Sequence, residues 1–194
     1  MEIVTLTHKH TYSYLVKGSQ QWLMFDAGWP DSFVPFARSM KEQGVRIKDI
    51  QHFVVSHFHM DHAGLTQVLK DYGVGFLLHE CQVGATGAMN DFFTKHPDAD
   101  YRPITETNNQ LVTSAESREL LKQMGIDGEI IHTPGHSPDS VTLIIDNLFA
   151  FVGDLPGIEL ASGFGSVEME DSWLKILSYG VKTVYPAHAD IYHV

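Results

Sequence analysis

The chain has 194 residues and a hydrophobic fraction of 43%, enough for one sizeable core and too apolar for a disordered chain. Its formal net charge of −11 repels phosphate backbones and argues against a nucleic-acid partner. The single cysteine, Cys81, excludes an intrachain disulfide.

The first residues, Met1-Glu2-Ile3-Val4, lack a basic segment followed by an apolar one, and no apolar run reaches the roughly 18 residues of a membrane span. The expectation is a cytoplasmic protein with no membrane partner. No linker, charge block or repeat divides the sequence, so residues 1–194 read as a single domain.

Short apolar runs at 2–6, 12–16 and 22–25 read as strands, with Lys17-Gly18-Ser19-Gln20 as the turn between the last two. Asp26-Ala27-Gly28-Trp29-Pro30 breaks the pattern. Helical spacing of Phe33, Phe36, Ala37 and Met40 predicts a helix over 32–43, with Pro35 tolerated in its first turn and Gly44 as its stop. Residues 50–55 form a β-branched run that reads as a buried strand. A helix over 63–72 and a strand over 75–78 follow. Residues 80–109 are irregular, with Pro97 and Pro103, and read as a lid or substrate-facing insertion.

Thr113 and Glu116 form a capping box that opens a helix over 113–124, which Gly125 ends. Strands are expected at 129–132, 141–145 and 148–152, a helix at 168–178 and a last strand at 182–185. Two groups of strands, each followed by helices, suit a two-sheet α/β core with helices outside.

Twelve histidines are many for this length, and they cluster. Ser56-His57-Phe58-His59-Met60-Asp61-His62 follows a strand directly, and a strand end is a rigid base from which a loop can aim several side chains at one point. Zinc takes imidazole nitrogen and carboxylate oxygen at about 2.0–2.2 Å. A solvated histidine-rich patch is the bland alternative. Against it, His136 in Thr133-Pro134-Gly135-His136-Ser137, Asp154 in Phe151-Val152-Gly153-Asp154 and His188 in Tyr185-Pro186-Ala187-His188 each follow a further strand. Seven donors suit two metal ions at the roughly 3.5–4 Å spacing of binuclear hydrolases.

His57, His59, Asp61, His62, His136, Asp154 and His188 together resemble the motif pattern of the metallo-β-lactamase superfamily, and Asp26-Ala27-Gly28 resembles its first motif. Order and rough spacing agree from about residue 3 to 190. The resemblance implies a four-layer αββα sandwich of two mixed β-sheets. It also implies a first metal held by His57, His59 and His136, a second by Asp61, His62 and His188, and Asp154 bridging both. Two zinc ions are the default, with iron or manganese as alternatives. A hydroxide between the metals would be the nucleophile. Asp61 would orient it or pass a proton to the leaving group, and Asp26 would fix a ligand histidine from behind. Ala187 and Ala189 flank His188 where many members carry glycine, and Ser56 replaces a commoner threonine.

The bridging aspartate resembles the glyoxalase-II-like and lactonase-like branches, which implies a hydrolase of a small ester, thioester or lactone. Only six residues follow His188, short of the helical domain of a full glyoxalase II. A phosphodiesterase on the same site, disfavoured by charge, is one alternative. A persulfide dioxygenase with one iron is another, and the full donor set argues against it. A non-catalytic binding protein is the fourth reading, disfavoured because every donor is present. His8 and His10, before the second strand, are open to substrate contact or plain exposure. His79 reads as structural, Cys81 as a small buried residue rather than a nucleophile, and Phe92, Phe93 and Trp173 as core or lid packing.

Overall fold

The computed structural model describes residues 1–97, 100–160 and 166–194. Two sheets face each other. The first has the order β1-β2-β3-β4-β5-β6, formed by β1 (Ile3–His8), β2 (Thr11–Lys17), β3 (Trp22–Phe25), β4 (Ile50–Val54), β5 (Gly75–His79) and β6 (Asn109–Val112). The second has the order β11-β10-β9-β8-β7, formed by β7 (Gly128–His132), β8 (Val141–Ile145), β9 (Phe149–Gly153), β10 (Thr183–Pro186) and β11 (Tyr192–His193). Both are mixed: β1 to β3 are antiparallel and β3 to β6 parallel, while β7, β8 and β9 are antiparallel and β9 and β10 parallel.

The apolar runs are continuous rather than alternating because most central strands are covered on both faces. Tyr14, Val16, Leu23, Phe25, Val54 and Leu77 point inward and meet Ile130, Val141, Leu143, Ile145 and Phe151 of the other sheet. Their neighbours Leu15, Met24, Phe53 and Phe76 point outward. There they pack beneath α1 (Phe33–Glu42), α3 (Thr66–Asp71) and α4 (Ala85–Thr94), through Phe36, Met40, Leu69, Met89 and Phe93. On the far side Ile131, Ile144, Ala150 and Val184 are covered by Met169, Trp173 and Ile176 of α6 (Val167–Ser178). These layers are the expected αββα sandwich. Tyr14 also donates its hydroxyl across the seam to the Pro186 carbonyl at 2.6 Å, which satisfies a polar group that burial would otherwise penalise.

Local chemistry explains the elements that agree with expectation. The Thr113 side chain accepts from the Glu116 N–H, and the Glu116 carboxylate accepts from the Thr113 N–H, so the capping box opens α5 (Ser114–Gln123). Pro35 lies in the first turn of α1. The helix expected over 63–72 is two pieces, α2 (Met60–Ala63) and α3, broken near Gly64. A Cβ on Gly64 would lie 2.4 Å from the Pro30 nitrogen, so only glycine lets the 26–30 loop pass this close. The segment over 80–109, of which 98 and 99 lie outside the described residues, is more ordered than expected: it holds α4, and β6 begins at its last residue. The two-residue β11 is a further difference.

The inter-sheet seam is the energetic core. Phe151→Ala is expected to cost about 3–5 kcal/mol, because a large ring leaves a cavity between two rigid sheets. Thr113→Ala, which removes only the cap, should cost about 1 kcal/mol. Urea denaturation of both variants checks the ranking, and equal shifts would contradict it.

Candidate metal centre

Strand direction brings the donors to one place. β7, β9 and β10 run the same way, as do β3 to β6. Asp26 follows β3, the His57 to His62 segment follows β4, and His136, Asp154 and His188 follow β7, β9 and β10. All emerge at one edge of the seam, where loops from both sheets meet.

The seven side chains form two groups that share Asp154. Donor atoms of His57, His59, His136 and Asp154 all lie within 4.8 Å of one another, as do those of Asp61, His62, Asp154 and His188. In the first group, His59 Nδ1 lies 2.9 Å from His57 Nε2 and 3.1 Å from His136 Nε2. Asp154 Oδ2 is 3.5 Å from His136 Nε2 and 3.9 Å from His57 Nε2. In the second, Asp154 Oδ1 lies 3.1 Å from both His62 Nε2 and His188 Nε2, and Asp61 Oδ2 lies 3.3 and 3.0 Å from the same two nitrogens. A tetrahedral ion with bonds of about 2.0–2.2 Å has ligand edges of about 3.3–3.6 Å, and the distances in the two groups scatter around that range, from 2.9 to 3.9 Å.

Two further observations fit a cation. His62 Nε2 and Asp154 Oδ1 are buried and have no hydrogen-bond partner, a costly state for polar atoms unless something else satisfies them. The charge is also one-sided. Among the described residues, every ion-pair partner of Asp26, Asp61 and Asp154 is a histidine. Burial pushes the His62 pKa down, but the charge of Asp26 and contacts with Asp154 and Asp61 outweigh it and raise the value well above the ordinary one. Burial and the surrounding histidines hold His57 well below its usual range, so its imidazole is neutral with a free lone pair. For Asp61 and Asp154 burial favours the acid, yet His62 and His188 outweigh it and keep both ionised. The neutral His57 ring and the ionised carboxylates are forms that bind metal, and His62 would give up its proton to a bound ion.

Behind the donors lies a supporting layer. Asp26 is fully buried at a left-handed φ of 67°. Its Oδ1 accepts from the Ser56 N–H at 2.6 Å, and its Oδ2 accepts from His62 Nδ1 at 2.8 Å and the Ser56 hydroxyl at 3.1 Å. This leaves His62 Nε2 to face the centre. Ser56 Oγ is also 3.0 Å from His57 Nδ1, and His188 Nδ1 donates to the His10 carbonyl at 2.6 Å. Such partners fix the tautomer and the ring plane. Ala187 fits without displacing His188: it is buried, and its N–H donates to the Gly153 carbonyl.

Three contributors escape a linear reading. Thr11 donates to Asp61 Oδ2 at 3.2 Å and accepts from Trp29 Nε1 at 3.1 Å. Ser56 bridges Asp26 to two histidines. Asp139 accepts from the Phe58 N–H at 2.8 Å and ties the β4 and β7 loops together. The only sequence signal for Asp139 was its place near His136. His10 takes part through its backbone, and His8 lies at the end of β1. His79 is buried, with Nε2 3.2 Å from the Ser114 hydroxyl and Nδ1 3.1 Å from Cys81 Sγ. Burial pushes the Cys81 thiol up to about 12, which makes it a poor nucleophile. Trp173 is core, with its Nε1 donating to the Pro156 carbonyl.

Two sheets with helices outside and a histidine–aspartate centre at their shared edge define the class. The chain belongs to the metallo-beta-lactamase superfamily, whose family model matches residues 6–188. Superfamily members use divalent metal ions, and the curated relatives include probable metallo-hydrolases, thioesterases and lactamase-like proteins. Among them is "Probable metallo-hydrolase YqjP" of Bacillus subtilis, 33% identical over 67% of this chain and 47% of the relative. Another, an atrochrysone carboxyl ACP thioesterase of Aspergillus novofumigatus, is 29% identical over 55% of this chain and 34% of its own. The chain thus spans about half or less of these relatives' lengths. "Probable metallo-hydrolase MJ0888" of Methanocaldococcus jannaschii is 26% identical over 92% of this chain and 87% of its own. Among solved structures, TTHA1623 in a di-iron-bound form superimposes with a TM-score of 0.70 at 19% identity, covering 100% of this chain and 94% of that one. No helix among the described residues is long and apolar enough to cross a membrane.

Gly153 adjoins the shared aspartate at φ +57°, and a Cβ there would lie 2.4 Å from Ser56 Cβ. Gly153→Ala is therefore expected to destabilise by more than about 1 kcal/mol, whereas Gly87→Ala, in open space on α4, should stabilise by about 0.4–1 kcal/mol. Denaturant midpoints test the contrast, and a neutral Gly153→Ala would refute the packing argument.

Proposed function

We propose that this chain is a binuclear metallo-hydrolase that cleaves a small ester, thioester or lactone. The observation that carries this reading is the split orientation of Asp154, with Oδ2 toward His57 and His136 and Oδ1 toward His62 and His188. One carboxylate turned to two donor sets is the arrangement a bridging ligand needs. His57, His59 and His136 would hold one ion and Asp61, His62 and His188 the other, with zinc as the default for nitrogen and oxygen donors. The di-iron form of a structural neighbour makes iron the first alternative. The ions, when bound, supply an acidified water and polarise the scissile carbonyl.

The chain's own residues supply the remaining work. Asp61 is ionised, and its Oδ2 is held by the Thr11 hydroxyl, which is itself fixed by Trp29. Its role in this reading is to orient the attacking water or to pass a proton to the leaving group. Asp26 positions His62 through the Nδ1 contact and touches no substrate. The thioesterases among the relatives support an acyl substrate, and the acidic chain argues against a phosphodiester.

Metal analysis of the purified protein is expected to give two ions per chain, and one tightly bound iron would overturn the binuclear reading. Zinc added to chelator-treated protein should raise its Tm, because the ion binds only the folded state. Asp154→Ala should lose most of that rise, and Asp26→Asn should weaken zinc binding about 10- to 100-fold. Asp61→Asn should fold normally and lose turnover. A panel of thioesters, lactones, β-lactams and phosphodiesters tests the reaction, and turnover confined to phosphodiesters would defeat the proposal.

A further inference from the structure

Beside the metal centre lies an open cleft of about 480 Å³, with His59 and Asp61 at one end and Met60, Ala88, Met89 and Phe92 among its walls. Its far wall is α4, in the segment that carries no donor. Among the described residues no lysine or arginine lines it, and the only charged wall residue is Asp61, which belongs to the metal centre. Phe92 is 43% exposed, a large apolar side chain left facing solvent next to a reactive centre. Met89 and Phe93 line the base of the cleft and pack at the same time into the outer core.

We infer that this cleft holds an unbranched apolar acyl chain of the substrate, making the substrate an uncharged ester, thioester or lactone of a medium-chain acid. The inference rests on the hydrolase reading above and goes beyond it by naming the acyl group. Continuity with His59 and Asp61 makes the occupant part of the molecule that reacts at the centre, and the thioesterases among the relatives favour its acyl side over its leaving group. The lack of a lysine or arginine among the described wall residues disfavours a carboxylate or phosphate along the cleft, for neither would find a cationic side chain there. An apolar chain gains from the same transfer, by an amount that grows with each methylene. The size lies within the range of small-molecule sites.

The direct probe is binding of uncleavable neutral amides, butanamide to decanamide, to the zinc-loaded protein, followed by methyl NMR of its methionines. Octanamide should shift the Met60 and Met89 methyl signals, and affinity should rise about threefold to fourfold per added methylene until the cleft is full. Ala88 is exposed, so Ala88→Trp fills the cleft from the surface and leaves the core alone. That variant, and Phe92→Asp, should lose the chain-length dependence. In turnover assays the same dependence should appear in kcat/KM for butanoyl to octanoyl thioesters and vanish in Ala88→Trp. Octanamide that leaves both methyl signals unmoved, or a dependence that survives Ala88→Trp, overturns the inference. Amide binding in the cleft without turnover of any acyl compound supports the cleft and defeats the hydrolase reading. Turnover that ignores chain length does the reverse.

Discussion

Three carboxylates, Asp26, Asp61 and Asp154, are drawn into the edge of an apolar seam, and their ion-pair partners among the described residues are all imidazoles. Taking charge out of water costs several kcal/mol per ion unless it is paired and hydrogen-bonded. Asp26, wholly buried, meets this with three donors: the Ser56 N–H, the Ser56 hydroxyl and His62. Asp154 lacks such a set, and one of its oxygens is buried without a hydrogen bond. The negative charge therefore falls into two parts. One is neutralised within the fold, and the other calls for a cation at the centre.

That division explains several local oddities. The left-handed backbone of Asp26, unusual for a residue with a side chain, turns its carboxylate back toward Ser56 and His62. The Ala27 N–H donates to the His62 carbonyl and the Leu65 N–H to the Ala27 carbonyl, so the loop after β3 is stitched to α2 along its length. The Gly64 and Gly153 contacts let these loops approach more closely than any side chain permits. Each device holds a ring or carboxylate at fixed orientation, and preorganisation of this kind makes a polar site effective once a charged species enters it.

The donors were legible because each follows an apolar run that is recognisable as a strand, and because histidine and aspartate are uncommon there without a task. The capping box at Thr113 and Glu116 was equally plain, since its signal spans four residues. The supporting layer was harder to see. Thr11 lies 50 residues from Asp61, and Asp139 lies 81 from Phe58, and a threonine or aspartate in a loop has an ordinary local explanation. α4 was read as irregular because Thr86, Gly87 and Asn90 dilute its apolar face; its helix is held by tertiary packing of Met89 and Phe93. β6 was missed for a related reason. As an edge strand with Gln110 and Leu111 exposed, it shows neither alternation nor a buried run.

Chemistry and selectivity are thus carried by different parts of the chain. The donors stand on strand ends from both sheets, and moving one would disturb the seam that gives the fold its stability. The cleft wall stands on α4, which touches the core through one face only and leaves Ala88 and Phe92 exposed. Changes there alter the shape beside the centre at little cost to stability, because exposed positions away from caps and cores shift stability by only about 0.5 kcal/mol. The residues that announce the reaction in the sequence are therefore poor guides to the substrate. Selectivity is written in α4, a segment that carries none of the seven donors.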